Sequence, residues 1–303
     1  MQALGILVNY QVELIYFTDA IYRGETGLFD GKKCRHGLGF MVYASGRVFE
    51  GFFEKDKRHG KGCEKYSNGD VFIGQYRKGR IEGRGKRQWK ETGETYEGEW
   101  YQGMRHGVGT WSHQVKENNL LVDPKDKTRR ITYQSYTGRF QNNFFEGYGI
   151  FTQRYRQIIE KSESILKSPQ KSHSNSPSRS RERSPHRVKI HETEQQDEDV
   201  YEGQWRNSLK HGNGTEKYSN GDYYVGNFRE GDLSGSGTYV WKNGSTYKGS
   251  YKDGKKNGKG RWMVKDVGKD GKERVAVYYG DFENDCRHGF GTMIWSTGGR
   301  YDG

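Results

Sequence analysis

The chain has 303 residues, of which only 31% are hydrophobic, and its mean hydropathy is -1.12, so a thick conventional core is excluded. Aromatic residues make up 14% and glycines number 44, which leaves rings and glycine as the folding material. A net charge of +12 points to an acidic partner, whether lipid headgroup, protein surface or nucleic acid, while the isolated Cys34, Cys63 and Cys286 favour a reducing compartment over a disulfide framework.

The first segment, LGILVNYQVELIYF from Leu4, is interrupted by Asn9, Gln11 and Glu13 and has no basic run ahead of it. It is too polar for a membrane span and a poor secretory signal. Val8, Tyr10, Val12 and Leu14 alternate with the polar residues, so residues 1–21 read as a one-sided strand or cap of a soluble, intracellular protein.

From residue 22 onward an aromatic-x-Gly element recurs, at Tyr22, Phe49, Phe72, Tyr96, Tyr136, Tyr201, Tyr224, Tyr247, Tyr278 and Tyr301. Uninterrupted steps are 23 or 24 residues, giving nine repeats and the opening of a tenth. In the unit YEGEWYQGMRHGVGTW, the residues Tyr96, Gly98 and Trp100 share one face of a strand, and Gly107, Gly109 and Trp111 repeat the arrangement on the next. A glycine hole lets a neighbouring ring lie over bare backbone and pins register.

The predicted ring face pairs Phe49 with Phe53, Phe72 with Tyr76, and Tyr96 with Trp100 and Trp111. It continues through Tyr136 and Phe140, Tyr201 and Trp205, Tyr224 and Phe228, Tyr247 and Tyr251, and Tyr278 and Phe282. Asn68-Gly69, Asn220-Gly221 and Asn243-Gly244 suit type I′ turns between units. The expected fold is all-β: an elongated single-layer antiparallel meander, on the order of 85 Å long if straight. Repeats occupy residues 22–151, with an insertion at 112–135, and 201–303, with an insertion at 263–277. A single sheet must cover its ring face by coiling, by pairing with another rod, or by holding a partner in a groove.

Residues 152–200 differ in character. QRYRQIIEKSESIL places Tyr155, Ile158, Ile159, Ser162 and Leu166 along one side of a helix. A Ser-Pro and Arg-rich tract follows, with Ser168, Ser176 and Ser184 as phosphorylation sites in a disordered, regulatory linker, and then an acidic run. The tract is short, is nearly neutralised by its acidic neighbour and has no RNA-recognition module beside it, which argues against nucleic acid.

The chemical readings are weak. His36, His59, His106, His211 and His288 fall at one phase of the repeat, a whole unit apart, where Glu82, Glu146, Ser234 and Asn257 stand in other units. They mark a hairpin-loop hydrogen-bonding position, not converging metal ligands. Glu64 and Glu216 have no second carboxylate fixed nearby. The C-R-H-G sequences at Cys34 and Cys286 read as ordinary reduced thiols, and GKKNGKG from Gly254 fails the spacing of a phosphate loop. No catalytic centre, cofactor or metal site is expected.

The pattern Y-x-G-x-W, short turn, H-G-x-G, ending in D-G, resembles the MORN repeat family over residues 22–151 and 201–303. Thr26 replaces the second ring in the first unit, which makes that unit an irregular cap. The resemblance implies a non-enzymatic scaffold whose ring face binds an amphipathic helix or another MORN protein, or a second copy as a homo-oligomer. It places the chain at a cytoskeletal site, such as the radial spokes of a ciliary axoneme, or at the cell cortex or a membrane junction. An alternative is peripheral binding to phosphoinositide or other acidic membranes through Lys32, Lys33, Arg58, Lys78, Arg80, Arg105, Lys255 and Lys256. Another is the targeting part of a phosphatidylinositol phosphate kinase or SET-type enzyme, since the tenth repeat stops after three residues.

Overall fold

A computed structural model describes residues 11–116, 120–161, 189–192, 197–268 and 270–303. Among the described residues every regular element is a strand. The first repeats comprise β1 (Gln11–Tyr16), β2 (Ala20–Phe29), β3 (Lys32–Tyr43), β4 (Val48–Glu54), β5 (Lys57–Lys65), β6 (Val71–Arg77) and β7 (Arg80–Gln88). The centre holds β8 (Glu94–Tyr101), β9 (Met104–Gln114), the short β10 (Leu121–Val122), β11 (Arg129–Gln141), β12 (Phe144–Lys161), β13 (Lys189–Glu192) and β14 (Asp197–Arg206). The array continues through β15 (Leu209–Lys217), β16 (Tyr223–Arg229), β17 (Asp232–Val240), β18 (Thr246–Lys252), β19 (Lys255–Val267), β20 (Glu273–Glu283), β21 (Cys286–Trp295) and β22 (Arg300–Asp302). All but β13, which pairs only with the end of β12, make one open antiparallel sheet in meander order, the all-β elongated architecture that the repeat spacing predicts.

Register is set by glycine. Gly24 pairs with Gly39, Gly39 with Gly51, and so on to Gly280 with Gly291, each of the long repeat strands contributing one glycine to a single ladder. The ladder passes without interruption from Gly149 in β12 to Gly203 in β14, so the fifth and sixth repeats join directly across the intervening segment. A Cβ on Gly149 would stand 2.4 to 2.5 Å from the Tyr136 ring and hydroxyl, which is why only glycine serves there.

A bulge follows the ladder glycine in the hairpin of each unit, as between Gly51 and Phe53 or Gly203 and Gln204. It leaves a carbonyl available, and the tyrosine hydroxyl of the unit donates to it: Tyr22 to Glu25 O at 2.7 Å, Tyr96 to Glu99 O at 2.9 Å and Tyr201 to Gln204 O at 2.8 Å. Each hairpin tip then bonds back to the preceding hairpin, as Gly79 N to Arg58 O at 2.8 Å and Gly103 N to Ile81 O at 2.8 Å. Repeats are thus tied along one edge by tips and through the middle by rings.

Two sequence expectations need correction. The paired positive φ values of type I′ turns occur at the hairpin tips, such as Lys55 (46°) with Asp56 (67°) and Asn142 (50°) with Asn143 (74°), and not at the Asn-Gly sites. At Asn68-Gly69 only Gly69 has positive φ. Gly69 N bonds Tyr66 O, Tyr66 N bonds Asp70 O, and the Asn68 side chain accepts from Asp70 N at 3.0 Å. That is a three-residue loop closed by a glycine bulge, whose Asn side chain stabilises the turn.

Residues 153–161, expected as helix, are strand. Their partners are Arg154 with Glu198 and Tyr155 with Asp197, then Ile158 with Glu192 and Lys161 with Lys189, so ladder bonds outweigh a weak helical periodicity. The remainder of that helix and Ser168, Ser176 and Ser184 lie outside the described residues. In β1, Val12 and Leu14 are exposed on the outer side, while Ile15, opposite Tyr22, packs on the core.

Candidate functional site

The ring face is the first candidate. Along it, Tyr22, Phe53, Phe49, Tyr76, Phe72 and Trp100 meet in succession, edge to face, at centroid distances of 5.2 to 5.4 Å. The same zigzag crosses from Tyr136 to Trp205 at 5.4 Å and continues to Tyr278 and Phe282 at 5.2 Å. Such pairs contribute about 0.5–1.5 kcal/mol each beyond the burial of their area.

These contacts close the face. Phe49, Phe72, Tyr96, Tyr136, Tyr224 and Tyr247 are 0% exposed, and the other rings expected to bind a partner are buried too, except Trp111, which is half-buried. The expected groove is therefore filled by the chain itself. What remains accessible on this side is a strip of half-buried rings beside the between-unit turns, including Tyr66, Trp89, Trp111, Trp241 and Trp262.

The covering layer comes from a position that sequence reasoning missed, the residue immediately before the H-G pair. Arg35 lies over Phe17, Tyr22 and Phe53, Arg58 over Phe49 and Tyr76, and Arg105 over Tyr96 and Phe140. Lys210, Lys256 and Arg287 do the same in later units, and Ile81, Phe145 and Leu233 take that place elsewhere. The signal was legible: at that phase the residue is always a long cation or a large apolar side chain, either of which can cover a ring.

The acidic-surface candidates divide accordingly. Arg58 and Arg105 are turned inward, Arg58 donating to Gly79 O at 3.0 Å and Arg105 to Asn143 O at 3.1 Å, and burial lowers the Arg105 pKa. Lys256 is half-buried over Trp241 and Trp262, and Lys33 pairs with Glu13. Lys32, Lys78, Arg80 and Lys255 are exposed.

The buried acids have structural partners. Glu64, 1% exposed, accepts from Arg47 Nε at 2.6 Å, from Tyr76 Oη at 3.0 Å and from Arg58. Burial and this carboxylate push the Tyr66 hydroxyl up to about 12. Glu216 pairs with Lys210, whose pKa burial lowers in spite of that partner. Burial also raises the Cys34 thiol, so the C-R-H-G sequence does not activate it, and Cys286 is exposed.

Asp70 accepts from Arg87 Nη2 at 3.0 Å and from Lys90 N at 3.1 Å. Burial opposes its ionisation, but these bonds win and hold its carboxyl below the usual range. A depressed folded-state pKa contributes stability that is complete above the unfolded value, near pH 4, and is lost as pH falls through the folded value. The gap in urea midpoint between the parent and Asp70→Asn is therefore expected to be widest at pH 6–7 and to narrow by pH 2–3. A gap independent of pH would contradict this account.

The insertion at 112–135 builds a second small core, in which Val115, Ile131 and Tyr155 are buried and Leu120 packs on them. Arg129 stacks on Tyr155 at 3.4 Å and lies 3.5 Å from Asp123 and 3.7 Å from Asp199, which accepts from Tyr155 Oη at 2.8 Å. A cavity of about 330 Å³ beside it is lined by Asp123, Lys125, Asp199, Lys210 and Glu216. With Arg129 these form three acids against three cations, an internally balanced network. No cluster of metal-ligating side chains occurs among the described residues. His59 Nδ1 lies 2.9 Å from Glu54, and the glycine after each H-G histidine has positive φ, which places these histidines at the bulge of their hairpins.

A comparison with curated proteins finds no match. The MORN repeat profile matches residues 49–71, 72–91, 96–113, 136–154, 201–223, 224–246, 247–263 and 278–300, more than half of the chain. The chain is a member of the MORN repeat family.

Proposed function

We propose that the protein is a non-enzymatic scaffold, a MORN rod that holds a protein partner, an apolar helix or another MORN protein, at a cytoskeletal site such as the ciliary axoneme or at the cell cortex. MORN repeats are non-catalytic modules that generally mediate protein or membrane interactions. One observation carries the scaffold reading: the buried titratable groups Glu64, Glu216 and Asp70 are spent on neighbouring cations and hydroxyls that hold repeats together. What an extended array then offers is surface, including the half-buried ring strip.

The rival is docking on acidic lipid, for which Lys32, Lys78, Arg80 and Lys255 remain exposed. Sedimentation with phosphoinositide vesicles separates the two. At about 0.15 M salt, where exposed charges are screened within ~8 Å, the chain is expected to stay in the supernatant. Retention on vesicles that survives this salt would replace the scaffold reading with the lipid one.

A further inference from the structure

We propose that the outer face of β1 to β6, the side of the sheet away from the rings, docks an amphipathic helix of a partner protein whose flanks are acidic. The proposal rests on the scaffold reading and gives it an address. Because outer-face positions recur from unit to unit, the later repeats act as an internal control on the first. One outer ladder runs Phe40, Glu50, Cys63, Ile73 and then turns polar, through Lys86, Glu97, Thr110 and Thr137. A neighbouring one pairs Leu38 with Phe52, where later units pair Ser236 with Ser250 and Lys259 with Asp281. The fold thus accepts polar side chains at these positions, and apolar ones are not needed for it.

In the first strands they are apolar and exposed: Leu14 54%, Leu38 51%, Phe52 45% and Ile73 58%. Single apolar residues recur later on this face, as at Val108 and Val225, but their cross-strand neighbours Arg139, Thr215 and Thr238 are polar. In the first strands such residues adjoin, Leu38 facing Phe52 and Cys63 facing Ile73, the arrangement that marks a contact site; Met263, Val277 and Ile294 form a second outer cluster at the other end of the array. A depression among Leu38, Phe52, Cys63 and Ile73, floored by the backbone at Gly51, Gly62 and Gly74, offers a hole for one large apolar side chain.

Size and charge select the occupant. Six strands at about 4.8 Å and three outward residues per strand give a patch of roughly 24 by 14 Å. That is well below the about 800 Å² per partner of a stable two-protein interface. It matches a single helix of about 16 residues, ~24 Å long and ~10 Å wide. The depression is lined also by Lys61 and Arg84, and Lys65 stands beside it on β5; none of the three makes an ion pair among the described residues. Of the outward acids of β2 to β7, Glu25 is engaged by Leu38 N, Glu54 lies 2.9 Å from His59 and Glu82 lies 3.2 Å from Arg77, which leaves Glu50 against Lys61, Lys65 and Arg84. Acidic flanks on the helix meet this excess and basic ones are repelled.

The test uses the full chain and two fluorescein-labelled synthetic helices of about 16 residues, with the same leucine stripe and either glutamate or lysine flanks, read by anisotropy. The glutamate-flanked helix is expected to bind in the micromolar range, about tenfold or more tighter than the lysine-flanked one. Phe52→Asp, and separately Ile73→Lys, should weaken it about tenfold with circular dichroism and unfolding midpoint unchanged, whereas Val225→Asp should not. Equal binding of the two helices, or binding indifferent to both substitutions, would overturn the proposal. So would self-association or vesicle retention that Phe52→Asp abolishes, since each assigns the face to another occupant. A native protein partner that still binds the Phe52→Asp variant would remove this address and leave the scaffold reading standing.

Discussion

Gly149→Val is expected to destabilise the protein by about 3–5 kcal/mol, the range found when a large buried aromatic side chain is lost. The new branched side chain would occupy the space of the Tyr136 ring, whose Cε2 and Cζ lie 2.5 Å from where the Cβ would stand. Tyr136 cannot yield, because Phe145 is stacked on it at 3.9 Å and Phe140 and Trp205 meet its edges at 5.1 and 5.4 Å. Displacing it would also strand the Arg139 carbonyl that its hydroxyl satisfies at 3.0 Å. In a one-dimensional array each unit contacts only its neighbours, so a fault at the junction of the fifth and sixth repeats should uncouple the two sides. Urea unfolding followed by tryptophan fluorescence should then show two transitions in the variant. Ile150→Val, one residue on and on the exposed face, should stay within about 0.5 kcal/mol. A single transition shifted by less than about 1 kcal/mol would mean that the glycine ladder is not what fixes register here.

The ladder is also where sequence reading worked best. Aromatic-x-Gly at a 23-residue step fixes which residue faces which, because the side-chain period of a strand is 2 and the glycine must lie beside the ring. What the spacing cannot reveal is how a single layer covers itself. That depends on the bulge after each ladder glycine, which brings the tip residue over the rings, and a bulge adds only one residue to a strand. The turn types were exchanged for a related reason. Non-glycine residues such as Lys55 and Asp56 hold positive φ at the tips, and Asp56 does so while its side chain accepts from Arg35 N at 2.9 Å. That reach to the previous repeat offsets a local conformation which composition alone disfavours. Val12 and Leu14 of β1 join the outer apolar patch, a surface that has no structural reason to be apolar.

The direct pairing of β12 with β14 changes what the insertions mean. Phe151 faces Tyr201, and Glu198 accepts from Arg154 Nε at 2.7 Å, so the array passes the interruption with its ring chain intact. The insertion at 263–277 is likewise absorbed as a longer hairpin, Met263 pairing with Val277 and Val267 with Glu273. Both additions leave from the edge of the between-unit turns. The opposite edge keeps its spacing wherever a tip bonds to a preceding hairpin, and the first hairpin, which has none before it, runs on to Phe29 and Lys32. Additions collect where the backbone bonds are local, and are absent where those bonds link one repeat to the next.

Glu64→Ala should cost about 3–5 kcal/mol, the range for breaking a buried ion pair by removing one partner. The side chain is 1% exposed and holds Arg47, Arg58 and the Tyr76 hydroxyl together. Its loss leaves two guanidinium groups above Tyr43, Phe49, Tyr66 and Tyr76 with no counter-charge. The equivalent pair, Lys210 with Glu216, allows a sharper experiment because it has a single cation. Lys210→Met alone should be costly, since it strands a buried carboxylate. The double variant Lys210→Met, Glu216→Leu should recover most of the loss, because apolar side chains of similar volume give up no unpaired charge. Urea midpoints of the parent, the two single variants and the double variant give the coupling between the residues as a double-mutant cycle. A double variant as unstable as the worse single would show that the methionine cannot cover Tyr201 and Phe228 as the lysine does, and that cover rather than charge is what this position supplies. Recovery would show the reverse: the ring-covering position needs only bulk, as Ile81 and Leu233 already suggest, and Glu216 is present to neutralise Lys210.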